Sequence, residues 1–236
     1  MSNSKNVNVA EKNVNATENK DASWSLKEMY EIVNKLELKP NQIVNLGIGL
    51  PTGLADFTDE TIFLQSENGL LGIGHFPAAE NEDADIVNAG KRPVSILNGG
   101  CFFDSSESFS MIRSGKIDIT ILGGMEVSQF GDLANWTIPG STIKGMGGAM
   151  DLVVGSKRVV VFMRHFNKQG QSKLTKECHF PLTGKKVVNR LITEYGIFDF
   201  DFEGNVSLKY KPKSLELEKI ISAVPFDLNT SEVVNL

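Results

Sequence analysis

Cysteine is nearly absent. Only Cys101 and Cys178 occur in 236 residues, so this chain is not held together by a disulfide framework, and a reducing, cytoplasmic setting is expected. Histidine is scarce too: His75, His165 and His179 stand far apart, and the Cys178-His179 neighbours lack the paired spacing of zinc sites, so no metal is expected. No run approaches the roughly 20 apolar residues that spanning a membrane needs. Nor is there an excess of positive charge, since 24 Lys and Arg face 29 Asp and Glu for a formal net charge of -5. Nucleic acid and membrane partners are therefore disfavoured.

What is present is globular: 41% hydrophobic and 22% charged residues, in a chain long enough to bury a full core without staples. Residues 1–23 are rich in Asn and Lys, have no Arg and no apolar segment, and read as a disordered tail. Order should begin at Ser25, which forms a capping box with Glu28 ahead of Leu26, Met29, Tyr30, Val33 and Leu36 on one helical face. Gln42–Leu46 then reads as a short strand, followed by a loop with glycines at 47, 49 and 53. The dinucleotide fingerprint would need its third glycine where Thr52 stands, so this is no Rossmann loop. Its amides, those of Gly47 and Gly49 among them, still suit a phosphate or carboxylate; a plain tight turn is the alternative.

The run Thr61–Leu64 is strand-like, and Gln65-Ser66-Glu67-Asn68-Gly69 follows it. Asn68-Gly69 is first of all a turn signal, because both residues tolerate positive φ. A glutamate beside such a turn is usually just solvated; at a strand end, the Glu67 carboxylate could instead project into a crevice as a nucleophile. To work it must stay ionised, and Ser66 and Asn68 are the nearest candidates to donate hydrogen bonds to it.

Downstream, Pro77–Asp85 reads as a solvated acidic loop, and Val94–Leu97 as a strand broken by Gly99-Gly100. Asp104 and Glu107 open a helix running to Arg113, and Ile117–Leu122 has the continuous apolar character of a parallel strand covered on both faces. The stretches Gly131–Trp136 and Lys144–Asp151 are least like plain scaffold. Glycines at 145, 147 and 148 before a short helix imply close backbone approach to a chain segment or a ligand. Arg158–Met163 reads as a strand, Lys185–Tyr195 as a helix with Val187, Val188, Leu191 and Ile192 on one face, Ile197–Phe202 as a strand, and Leu215–Val224 as a last helix. The expectation is one α/β domain over 24–225, an open, largely parallel sheet with helices on both faces, and a tail over 226–236. Loops that follow the strands should converge at one edge.

Gln65–Gly69, Asn45–Thr52, Gly131–Trp136 and Lys144–Val153, together with Asn167-Lys168, Pro181–Gly184 and Phe198–Phe200, resemble the small, B-type chain of family I CoA-transferases, in particular the branch exchanging CoA between succinyl-CoA and 3-oxoacids. The resemblance spans roughly residues 25–223. It implies a CoA-transferase (NagB-RpiA-like) fold with Glu67 as covalent nucleophile, and Ser66, Asn68 and Gly69 as supporting motif residues. Gly147 or Gly148 would be a backbone oxyanion donor, and Gly47, Gly49, Asn135 and Lys144 candidates for contact with substrate or CoA. It also implies a partner, the A-type CoA-transferase chain, in a heterodimer or heterotetramer, and no cofactor, CoA being a substrate. His75-Phe76 and Arg164 depart from the family pattern and could bear on substrate choice, the acceptor being open among acetoacetate, butyrate-type acids and 3-oxoadipate. Competing expectations are a sugar-phosphate isomerase or deaminase using Glu67 as acid/base, and a non-catalytic ligand-binding protein.

Overall fold

Helix α1 (Leu26–Glu37) starts where the capping box places it: Glu28 N donates to Ser25 Oγ at 3.3 Å and Ser25 N to Glu28 Oε2 at 2.7 Å. The computed structural model describes residues 22–140 and 145–236. Residues 1–21 of the expected tail and Lys144 lie outside the described residues. Met29, Tyr30 and Val33 of α1 are buried as their spacing predicts, each contributing about 1.5–3 kcal/mol on burial.

The strands are β1 (Ile43–Leu46), β2 (Phe63–Ser66), β3 (Leu70–Ile73), β4 (Ile96–Phe102), β5 (Ile119–Leu122), β6 (Glu126–Ser128), β7 (Leu133–Ala134), β8 (Val159–Phe162), β9 (Leu174–Thr175), β10 (Arg190–Thr193), β11 (Gly196–Phe200), β12 (Val206–Lys211), β13 (Leu228–Asn229) and β14 (Val234–Asn235). Eleven of them form one sheet in the order β13-β12-β11-β10-β8-β5-β1-β2-β3-β4, with β14 also on β12. Its centre, β10-β8-β5-β1-β2, is parallel, while β3 and β4 on one side and β11 and β12 on the other run antiparallel. β6, β7 and β9 make a small second sheet.

Helices cover both faces. Residues of α1 pack with Val44, Leu64, Ile119 and Phe162 on one side, and α2 (Ser105–Arg113), α3 (Ala149–Gly155) and α4 (Leu217–Ser222) pack with Leu122, Val161 and Leu191 on the other. β5 and β8 are buried at every position, which is why their sequences are apolar, save for Thr120 in β5, rather than alternating.

Three expectations are corrected. The helix expected over 185–195 is instead strand β10, paired with β8 and β11. Leu191 enters the core on one face of the sheet and Ile192 the core on the other, so a run buried on both sides imitates a helical stripe. Gly99-Gly100 does not break its strand: β4 continues through both, and the register with β3 shifts at a bulge. Residues 226–236, expected as a tail, supply β13 and β14, which pair in parallel with β12.

Candidate active site

The carboxyl ends of β1, β2 and β5 open into one cavity of about 440 Å³, at the edge where parallel sheets place their ligands. Gly47 and Ile48 leave β1 into its wall, Glu67 follows β2, and Leu122 ends β5 with Gly123–Met125 after it. Asn135, Trp136, residues 145–149 and Leu152 complete it. Among the described residues, Glu67 is the one ionisable side chain lining this cavity.

Glu67 is half-buried and rests on a row of polar side chains set by strand register. Asn45 lies opposite Gln65 on one neighbouring strand and Thr120 on the other, all three buried beneath α2. Thr120 Oγ1 donates to Asn45 Oδ1 at 3.3 Å, so the Asn45 amide turns its nitrogen the other way, donating to Gln65 Oε1 at 2.7 Å and to Glu67 Oε2 at 3.4 Å. Gln65 Nε2 in turn donates to Ser108 Oγ on α2 at 3.0 Å. These groups are neutral and mutually satisfied, and they hold one oxygen of the carboxylate without neutralising it. In the sequence Asn45 and Gln65 stood only as motif positions without a role, and Ser108 and Thr120 were not singled out. The available signal was polar residues interrupting apolar strand runs.

Ser66 and Asn68, expected to donate to Glu67, are engaged elsewhere. Ser66 Oγ accepts from Ala89 N at 2.9 Å, and Asn68 Nδ2 donates to Val87 O at 2.7 Å, so both flanks of the motif grip the connection between β3 and β4. Gly69 has φ 115° and lies so close to Phe103 that a methyl group there would overlap its carbonyl oxygen. No other residue type fits this turn.

Gly148 also works by close approach: a methyl group on it would stand 3.2 Å from Glu67 Cγ and 3.2 Å from Phe109 Cζ. Gly147, at φ 55°, precedes it in the same wall. Arg113 on α2 donates to Asp151 Oδ1 on α3 at 2.7 Å, an exposed link between the two helices.

Asn135 lines the cavity but its amide is committed, donating to Gly123 O at 3.1 Å and accepting from Thr183 Oγ1 at 2.6 Å. It braces the loop after β5 against Pro181–Gly184. Gly49 is not brought to the cavity wall; its carbonyl closes a turn with Thr52. Burial, aggravated by the charges of Glu126 and Asp132, pushes the Cys178 thiol up to about 12, which removes it as a competing nucleophile near neutral pH.

Residues 27–211 match the coenzyme A transferase family. The chain is 52% identical over 200 residues to a Bacillus subtilis protein, the B chain of a probable succinyl-CoA:3-ketoacid coenzyme A transferase, covering 84% of this chain and 92% of that one. It is 48% identical over 187 residues to the beta chain of the acetate CoA-transferase of Haemophilus influenzae, covering 78% and 83%. An acyl-CoA transferase from Escherichia coli O157:H7 shares the fold at a TM-score of 0.70 and 18% identity, over 90% of this chain. This chain spans 44% of that longer one. With a cavity at the strand ends, one carboxylate in its wall and a family match over most of the domain, the chain belongs to the coenzyme A transferase family.

Proposed function

We propose that this chain is the B-type half of a two-subunit CoA-transferase that, together with its A-type partner, moves CoA from a short acyl-CoA such as succinyl-CoA to a 3-oxoacid such as acetoacetate. The observation that carries the reading is Glu67 itself: a lone ionisable group in the described cavity wall, held at one oxygen by a buried amide. The names of the relatives supply the substrate class.

The chemistry follows from a carboxylate in that position. A Glu67 oxygen attacks the thioester carbonyl carbon, the carbon–sulfur bond breaks with its electron pair on sulfur, and an acyl-glutamyl anhydride and CoA thiolate result. The thiolate then attacks Cδ of Glu67, the anhydride bond to that carbon breaks, and the first acid leaves as its carboxylate. Glutamyl-CoA remains. The incoming acid repeats these steps in reverse, so the thioester is conserved and the kinetics are ping-pong. A carboxylate is a weak nucleophile, so placement must compensate, and fixed geometry is worth effective molarities of about 10⁵ M or more. A backbone donor to the oxyanion typically adds about 3 kcal/mol, and the Gly147-Gly148 run beside the Glu67 stem is the candidate for it. Apolar side chains of Leu122, Met125, Trp136 and Leu152 line the cavity and favour keeping water from the anhydride.

The two-subunit enzyme, incubated with acyl-CoA and no acceptor, should accumulate a thioester that borohydride reduces at Glu67 alone. A label mapped elsewhere, or none in enzyme that still exchanges CoA, overturns this assignment.

A further inference from the structure

The connection between β3 and β4 carries a tight turn whose place beside the cavity is set by the nucleophile's own neighbours. Residues 86–94 close on themselves: Val94 N donates to Ile86 O at 3.0 Å, Val87 bridges Pro93, and Asn88 Oδ1 accepts from Gly90 N at 2.9 Å and Arg92 N at 3.1 Å. Ser66 and Asn68 then fix this hairpin to the Glu67 turn through Ala89 and Val87. At its tip, a methyl group on Gly90 would stand 3.7 Å from Ile48 Cγ2, ordinary van der Waals distance. On the other side of Ile48, its carbonyl lies 3.6 Å from where a Gly123 side chain would begin. Ile48 is 64% exposed, yet it is part of the cavity wall, flanked in the chain by Gly47 and Gly49.

A large aliphatic side chain at a cavity mouth gains the stabilisation of burial when a bound ligand covers it. The covering group is constrained by the chemistry at Glu67. Each acid in the exchange must present its carboxyl carbon there, so its remaining carbons extend along the wall, and Ile48 and Met146 are that wall's exposed aliphatics. We propose that Ile48, beside the tip of the 86–94 hairpin, is the residue that selects the acyl chain by bulk, favouring short unbranched acids over branched ones. This rests on the CoA-transferase reading above. It also gives Ser66 and Asn68 a purpose: they hold the selecting wall at a fixed distance from the attacking oxygen.

The test is the ratio of kcat/KM for an acyl-CoA branched beside its carbonyl to that for a short straight-chain acyl-CoA, measured with the two-subunit enzyme and one acceptor. In Ile48→Ala this ratio should rise about 10-fold or more, the usual value of a methylene or two in an apolar pocket. Asn68→Ala, which loosens the hairpin without touching the cavity wall, should shift the ratio the same way by a smaller factor, with melting temperature measured alongside. A ratio unchanged in Ile48→Ala, with both donors slowed equally, would show that Ile48 only covers the site and would overturn the assignment. Absence of any CoA exchange by the unsubstituted two-subunit enzyme would instead remove the CoA-transferase reading itself.

Discussion

Two buried polar clusters sit on the same sheet and are built on opposite plans. At the carboxyl end of α1, Glu37 receives Arg190 Nη1 at 2.6 Å on one oxygen and Arg158 Nε at 2.8 Å on the other, while Arg190 also grips both oxygens of Asp199 at 2.5 and 2.6 Å. Every carboxylate oxygen there is matched by a guanidinium nitrogen. Beneath the cavity, Asn45, Gln65, Ser108 and Thr120 carry no charge at all, and the one carboxylate they reach is held at Oε2 only. A fully paired carboxylate is poorly available to react, whereas one held at a single oxygen by a neutral amide keeps the other for attack. The comparison separates scaffold from chemistry by completeness of pairing.

Substitutions should split along this line. The largest effect is expected in Glu67→Gln: transfer should drop by about 10⁴-fold or more, since a neutral amide is a far poorer nucleophile, with the melting temperature unchanged or raised. Steady-state exchange and thermal melting of the same preparation check both halves, and a folded variant that keeps its turnover would collapse the distinction. Glu37→Ala should behave in the opposite way. Removing it leaves Arg190 paired with Asp199 alone and Arg158, 38% exposed at its side chain, to water, which should cost about 1.5–3 kcal/mol in denaturant unfolding, while native enzyme keeps its kcat.

His165 belongs to the scaffold group and extends the contrast to pH. It is fully buried against Thr193 Oγ1 at 3.1 Å and Ala223 O at 3.2 Å, and desolvation lowers its pKa from 6.5 to about 4. The fold therefore holds the neutral ring, and unfolding takes up a proton between about pH 4 and 6.5. Stability from this residue is complete above about pH 6.5 and is lost as pH falls toward 4, by on the order of 3 kcal/mol in all. His165→Gln should flatten that part of the stability profile; an identical acid limb in both proteins would contradict it. The smallest effect is assigned to Asn45→Ala, where a carboxylate no longer held in place should lower kcat by up to about 10²-fold with KM less affected. If Asn45→Ala lowers stability but not kcat, the amide row is scaffold after all.

How far the sequence reached depended on whether the governing contact was local. The caps of α1 and α2 lie within three residues of the helices they start, and Ser25, Glu28 and Asp104 could be read directly. The Glu67 turn was legible for the same reason, Asn68-Gly69 being a short-range signal. β10 was misread because burial on both faces erases the alternation that marks a strand. The amide row could not be anticipated from residues alone: Asn45 meets Thr120 only through the pairing of β1 with β5, and Gln65 only through the pairing with β2. Ser66 and Asn68 were noticed but given the wrong partners, because the backbone they hold lies about 20 positions further along.

The placement of β1 between β2 and β5 also bears on how the site comes into being during synthesis. One neighbour of β1 emerges soon after it, but the Asn45–Thr120 contact spans 75 positions. A growing chain that has not yet delivered β5 can already shape the Glu67 turn, yet it leaves one long edge of β1 bare and half of the amide row without partners. Such an edge is open to pairing with another chain, and closing the loop that covers it is the slower kind of folding step. The nucleophile is thus in hand early, and the setting that makes it useful arrives only when about half of the domain has left the ribosome.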